Sequence, residues 1–208
     1  MNRAGPSRLQ TQPGVLATVA AVLRVLVVGV FVLTFLLQSY RIPSASMVPT
    51  LDIGDCVLVS KTAFSNAGRS RGMWSRLAYE LLPRSPVQRG DLMVFHYPPQ
   101  PSRLLVKRVI GLPGDRVSLS HGRVYIDGKR LDESYLDRSY LRHACGSANA
   151  TTAVGGRSRW TVPKNDLFVM GDDRCNSTDS RIFGPIPESS VIGRAFVIVW
   201  PLGRFRFL

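Results

Sequence analysis

The chain has 208 residues and a formal net charge of +13. Setting aside an N-terminal anchor leaves about 165 residues, enough for one sizeable domain or a core with a smaller appendage. The positive charge is almost all arginine, since Lys61, Lys107, Lys129 and Lys164 are the only lysines, and it is scattered without any zinc-finger, helix-turn-helix or RNA-binding signature, which argues against nucleic acid and for anionic phospholipid as the partner.

Residues 1–14 are polar and carry Arg3 and Arg8; they read as a cytoplasmic tail. Val15 to Leu37 is apolar apart from Arg24, Gly29 and Thr34, and a helix of that length spans a hydrocarbon core of about 30 Å. A transmembrane helix is therefore expected over 15–39. Arg24 lies toward the N-terminal side and can snorkel to the inner headgroups. Arg3 and Arg8 orient the N-terminus inward. A rival reading makes residues 1–45 a cleaved signal peptide, with Val25 to Leu37 as its apolar region and Ser44-Ala45-Ser46 as a small-residue cleavage site.

Beyond Ile42 the pattern is β. Short apolar runs at Cys56 to Val59, Leu92 to Tyr97, Leu104 to Ile110, Arg123 to Ile126, Lys129 to Leu131, Trp160 to Val162, Asp166 to Met170 and Phe196 to Trp200 are bounded by Gly, Pro and Asp turns. Asp127-Gly128 is a two-residue hairpin signal. Met73 to Leu82 is a candidate amphipathic helix at the lipid interface. Residues 132–159 read as a polar, mobile excursion. Long helices alternating with the strands are missing, which favours an antiparallel β domain over a parallel α/β one.

Three features carry chemistry. The first is Pro43 to Leu51, where Ser44 and Ser46 lie just past the apolar run. A serine needs a general base to act as a nucleophile at neutral pH. His96, His121 and His143 stand in packing, turn and loop contexts that mark none of them as that base. Lys107 is flanked by Leu104, Leu105, Val106, Val109 and Ile110. Burial among such neighbours would lower its pKa enough for it to accept a proton; strand alternation leaves an outward-facing lysine equally open. The third feature is Gly171 to Arg181, dense in hydroxyls and charges, whose acids do not match calcium-loop spacing. Three cysteines without a C-x-x-C argue against zinc, and no metal or cofactor is implied. In an extracytoplasmic domain Cys145 and Cys175 are a candidate disulfide, with Cys56 left free.

In this order after an N-terminal span, Pro43 to Leu51, Gly54-Asp55, Lys107 to Asp115 and Gly171 to Arg181 resemble the type I signal peptidases of bacteria. The resemblance implies a membrane-anchored serine endopeptidase that removes signal peptides from exported preproteins at Ala-x-Ala sites. It implies a Ser46 nucleophile, a Lys107 base, a Ser44 hydroxyl in the oxyanion hole and a Ser177 hydroxyl on the lysine amine. Asp179 and Arg181 match a salt-bridged pair that shapes the site. Tyr40, Ile42, Leu51, Val57, Leu105 and Val106 match walls of the substrate pockets. Asp173 and Cys175 depart from the family pattern and should not touch the chemistry. The fold implied is mainly β: a catalytic core over 40–115 and 165–208, with a smaller β-rich subdomain inserted at 116–164. The alternatives are a catalytically inactive tethered β domain and a Ser-Lys protease with another substrate.

Overall fold

The structure is a computed structural model and describes residues 14–31, 36–61, 86–120, 122–137, 139–141 and 158–208. Helix α1 covers Val15–Phe31. The strands are β1 (Leu37–Arg41), β2 (Cys56–Ser60), β3 (Leu92–His96), β4 (Leu104–Gly111), β5 (Arg116–Ser120), β6 (Arg123–Ile126), β7 (Lys129–Arg130), β8 (Arg159–Thr161), β9 (Asp166–Met170), β10 (Ile186–Pro187), β11 (Val191–Trp200) and β12 (Arg206–Phe207). A single-turn helix α2, Ser180–Phe183, follows β9.

Eight strands form one antiparallel sheet in the order β1-β2-β11-β3-β4-β9-β10, with β12 paired to β11. The other four form a second sheet, β7-β6-β5-β8. The chain is thus mainly β and antiparallel. Asp127 and Gly128 turn β6 into β7 with φ of 51° and 82°, the double left-handed geometry of a type I′ hairpin, which glycine adopts without steric cost.

Two differences from the sequence reading concern the N-terminal segment. Leu37–Arg41 is strand, pairing residue by residue with Ser60 to Cys56, because the ladder to β2 satisfies its backbone groups. The described part of helix α1 covers Val15–Phe31, and no helix among the described residues is long and apolar enough to cross a membrane. Most apolar side chains of α1 are exposed, Val15, Leu16 and Val25 among them. The last strand is longer than expected and begins at Val191. Strand β5 was not anticipated. The candidate helix 73–82 lies outside the described residues. The 132–159 excursion is not wholly loose: Glu133, Leu136 and Leu141 are buried.

The core lies in three apolar clusters. One joins Ile42, Met47, Leu51, Val57, Val59, Leu92, Val94 and Ile198. A second joins Met93, Phe95, Val109, Leu167, Val169 and Ile186. A third holds the second sheet to the first through Ile110, Phe168 and Met170 against Val117, Val124, Trp160 and Val162. Near the C-terminus the side chains of Trp200, Leu202, Phe205 and Phe207 are left exposed. Arg204 ties this end to the turn before β2, pairing with Asp52 at 2.6 Å and Asp55 at 2.9 Å.

Cys175 is disulfide-bonded and Cys56 is free. Cys145 lies outside the described residues and is the proposed partner, as the third cysteine of the chain. Thiol titration of the oxidised, denatured protein is expected to find one reactive thiol; three would exclude the bond.

Candidate active site

Residues Ala45–Met47 form one turn of 3-10 helix between β1 and β2. Met47 and Leu51 anchor this turn in the core, at 1% and 0% exposure. Ser46 is thereby held on a short, rigid bend and stays accessible. Its hydroxyl lies 3.4 Å from that of Ser44.

Lys107 lies in the middle of β4, directly opposite Met93 of β3. It is 1% exposed. Alternation could not decide its orientation because both faces of this strand are covered from Lys107 to Gly111. Its Nζ donates a short hydrogen bond to Ser46 Oγ. Burial lowers the Lys107 pKa from 10.5 to about 8; the charges of Asp179 and Asp172 push it up, and those of Arg181 and Arg103 push it down. A useful fraction of the amine is therefore neutral near physiological pH. The histidines offer no rival: His96 is exposed and its Nδ1 lies 2.7 Å from the Pro101 carbonyl oxygen, while His121 and His143 lie outside the described residues.

The loop after β9 closes over both groups. Asp173 N–H donates to the Ser46 carbonyl at 3.2 Å. The contact is through the backbone, and the Asp173 carboxylate itself accepts from the Tyr140 hydroxyl at 3.2 Å. Gly171 is required here, since a Cβ on it would lie 2.2 Å from Ser177 Oγ and 2.4 Å from the Ser46 carbonyl oxygen. Ser177 Oγ is buried and has no hydrogen-bond partner among the described residues. Asp179 caps α2 by accepting from Arg181 N–H, and its carboxylate takes both Arg181 Nε and a terminal nitrogen at 2.8 Å. Gly171 N–H adds a fourth bond at 3.0 Å. Burial alone would raise the Asp179 pKa; the Arg181 guanidinium outweighs it and holds the carboxyl below its usual range.

Sequence reasoning missed a second buried ion network beside the dyad. Arg108, adjacent to Lys107, grips Asp172 with bonds of 2.8 and 2.6 Å. Asp172 also accepts from Thr50 Oγ1 at 2.6 Å. The Arg108 guanidinium stacks 4.2 Å from the Tyr135 ring centre. Arg174 pairs with Glu133 at 2.5 Å, both side chains 1% exposed. The signal available was that Arg108 and Asp172 sit one residue from Lys107 and Gly171. Nothing in the sequence marked Glu133 or Tyr135.

An open groove of about 330 Å³ runs along the dyad between the end of β1 and the start of β4. Tyr40, Ile42, Leu105 and Val106 line it, together with Ser44, Ser46, Met47, Arg41 and Arg103. Leu51 and Val57 do not: both are fully buried beneath it, so they support the floor and are closed to any ligand.

The buried amine has a consequence for stability. Its folded pKa, about 8, lies below the ordinary lysine value of 10.5, so the unfolded chain binds this proton more tightly. The resulting penalty is fully present below about pH 8 and is relieved as pH rises toward 10.5; for a displacement of this size it amounts to about 3 kcal/mol. Lys107→Met is expected to be more stable than the parent at pH 7, with the gap shrinking by about that amount at pH 10.5. Denaturant unfolding in detergent at the two pH values checks this; a pH-independent gap would contradict the burial.

The chain resembles known proteins over most of its length. The family model described as signal peptidase, peptidase S26, matches residues 15–200. Signal peptidase I of Pseudomonas aeruginosa is 32% identical over 196 residues, covering 81% of this chain and 67% of its own length. Signal peptidase I of Bacillus caldolyticus is 33% identical over 176 residues, covering 83% of this chain and 85% of its own. A crystal structure of a signal peptidase I from Enterococcus faecalis is 36% identical, with a TM-score of 0.47, and covers 53% of this chain and 97% of its own. The chain belongs to the signal peptidase family, peptidase S26, and is a serine peptidase.

Proposed function

We propose that the chain is a membrane-anchored endopeptidase that removes signal peptides from exported preproteins at Ala-x-Ala sites, with Ser46 as nucleophile and Lys107 as general base. The observation that carries the reading is the buried Lys107 amine hydrogen-bonded to the Ser46 hydroxyl. In its neutral form the amine takes the Ser46 proton as Oγ attacks the scissile carbonyl carbon. The oxyanion is held by the Ser46 N–H and the Ser44 hydroxyl; one such donor is worth about 3 kcal/mol. The lysine ammonium then gives its proton to the departing amine. A water activated by the same lysine hydrolyses the acyl-enzyme and restores Ser46. Ser177 steadies the lysine amine, a role consistent with its buried and otherwise unbonded hydroxyl. Asp179 and Arg181 fix the loop that carries it.

The substrate binds extended in the groove. Strand β4 pairs with β9 only from Arg108 onward, so Leu104 to Lys107 present a free edge on that side for strand addition. Small side chains at −1 and −3 face the apolar walls made by Tyr40, Ile42, Leu105 and Val106, and larger ones are rejected by the lack of depth. For localisation we infer a single-pass protein of the cell membrane with its N-terminus cytoplasmic and its catalytic domain extracytoplasmic. The exposed apolar face of α1 and the exposed Trp200, Leu202, Phe205 and Phe207 beside Arg204 and Arg206 suit an anionic phospholipid surface. A disulfide at Cys175 suits an oxidising compartment.

Detergent-solubilised protein is expected to cleave a preprotein after an Ala-x-Ala site, and Ser46→Ala and Lys107→Ala to abolish cleavage while keeping the β signature in circular dichroism. Equal cleavage by Lys107→Ala and the parent would remove the lysine from the mechanism. Because neutral lysine is the active form, kcat/KM should rise through an apparent pKa near 8, the value burial gives Lys107. Gly171→Ala should fold but lose about 100-fold in kcat, since a displacement of the nucleophile by about 1 Å is enough for that.

A further inference from the structure

Two arginines of the groove have no task in this mechanism. Arg41 ends β1 and Arg103 immediately precedes β4, so they approach the groove from opposite sides, and both are exposed. Neither has an ion-pair partner among the described residues. Arg89, Arg108, Arg174, Arg181, Arg194 and Arg204, by comparison, each hold a carboxylate. No Asp or Glu is among the described residues lining the groove. The groove that holds Ser46 therefore combines apolar walls with two cationic side chains.

We propose that Arg41 and Arg103 form a carboxylate-selecting rim, which makes the enzyme prefer substrates with an acidic side chain several residues upstream of the scissile bond. The proposal rests on the signal-peptidase reading, which lays the residues before the cut along Leu105 and Val106. Continuing in that direction brings the peptide to Arg103, which lies four residues before Lys107 in the sequence. An extended chain advances about 3.3 Å per residue, so the side chains that meet the rim are those at about −4 to −6. A carboxylate there gains one or two partly solvated charge-assisted hydrogen bonds, while a lysine or arginine meets two like charges. A phospholipid headgroup is the other anion at hand. The peptide is favoured because both arginines line the same groove as Ser46. Arg103 is also close enough for its charge to depress the Lys107 pKa, which couples the rim to the base.

The test uses the full chain in detergent and matched Ala-x-Ala peptides carrying Glu or Gln at −4, −5 or −6. For the parent, the Glu peptide is expected to be cleaved with a kcat/KM about two to five times higher at one or more positions, the size typical of exposed ion pairs. The ratio should fall toward one in Arg41→Gln/Arg103→Gln and in 0.5 M salt. Arg103→Gln should also move the acid limb of the pH profile upward, since it removes a positive charge near the amine. A ratio of one for the parent at all three positions would overturn the rim and leave the peptidase reading standing. So would a preference that survives the double substitution. A double variant that loses only binding to phosphatidylglycerol vesicles, with peptide ratios unchanged, would assign the arginines to lipid and overturn it too. Failure to cleave even the Gln peptides would instead overturn the peptidase reading.

Discussion

An amine kept in an apolar interior within reach of a hydroxyl is the arrangement on which the rest of this fold depends. Lys107 is closed off by Met93 and the neighbouring sheet core and still touches Ser46. Burial is what brings the amine near its working pKa, and burial is also what makes it costly. The surrounding charges act in opposite directions. Asp179 and Asp172 favour the ammonium, Arg181 and Arg103 oppose it, and each acid is held by its own arginine. Desolvation is left as the dominant influence.

Those buried pairs explain why the loop after β9 is so polar. Asp172 and Asp179 each receive a two-pronged guanidinium, from Arg108 and Arg181. Buried ion pairs add little net stability compared with apolar residues, but breaking one is expensive. Their effect is to fix geometry. The loop can then meet the Ser46 carbonyl with a backbone N–H and bring Ser177 against it, with only a glycine between. The Glu133–Arg174 pair and the Tyr135 ring on Arg108 extend this frame to the segment between β7 and β8, linking that part of the chain to the site mechanically.

The groove has a mixed character. Apolar walls and two arginines with no ion-pair partner among the described residues line it beside Ser46. In the proposed reading such a surface would discriminate by exclusion as much as by attraction, refusing bulk near the cut and positive charge further away. Among the described residues the edge of β4 from Leu104 to Lys107 is left unpaired by β9, and the proposed strand addition there would give affinity that does not depend on side chains.

What the sequence determined was local. Serine spacing before Pro49, a lysine set among aliphatic residues, the Asp127-Gly128 turn and the Asp179–Arg181 pair all involve neighbours within a few positions, so their chemistry is legible in the text of the chain. The antiparallel β class was legible for the same reason, through short apolar runs and turn residues. Tertiary structure decided whatever depended on distant partners. Lys107 points inward because both faces of β4 are covered, which alternation cannot reveal. Leu37–Arg41 is strand because β2 is there to pair with it, although its composition continues an apolar helix. Leu51 and Val57 lie under the groove instead of lining it, and Glu133 and Tyr135 pack beside Arg108 and Arg174 from a segment that looked like loose surface. A side chain's burial depends on which strands lie above and below it, and that is fixed only when residues far apart in sequence are brought into one sheet.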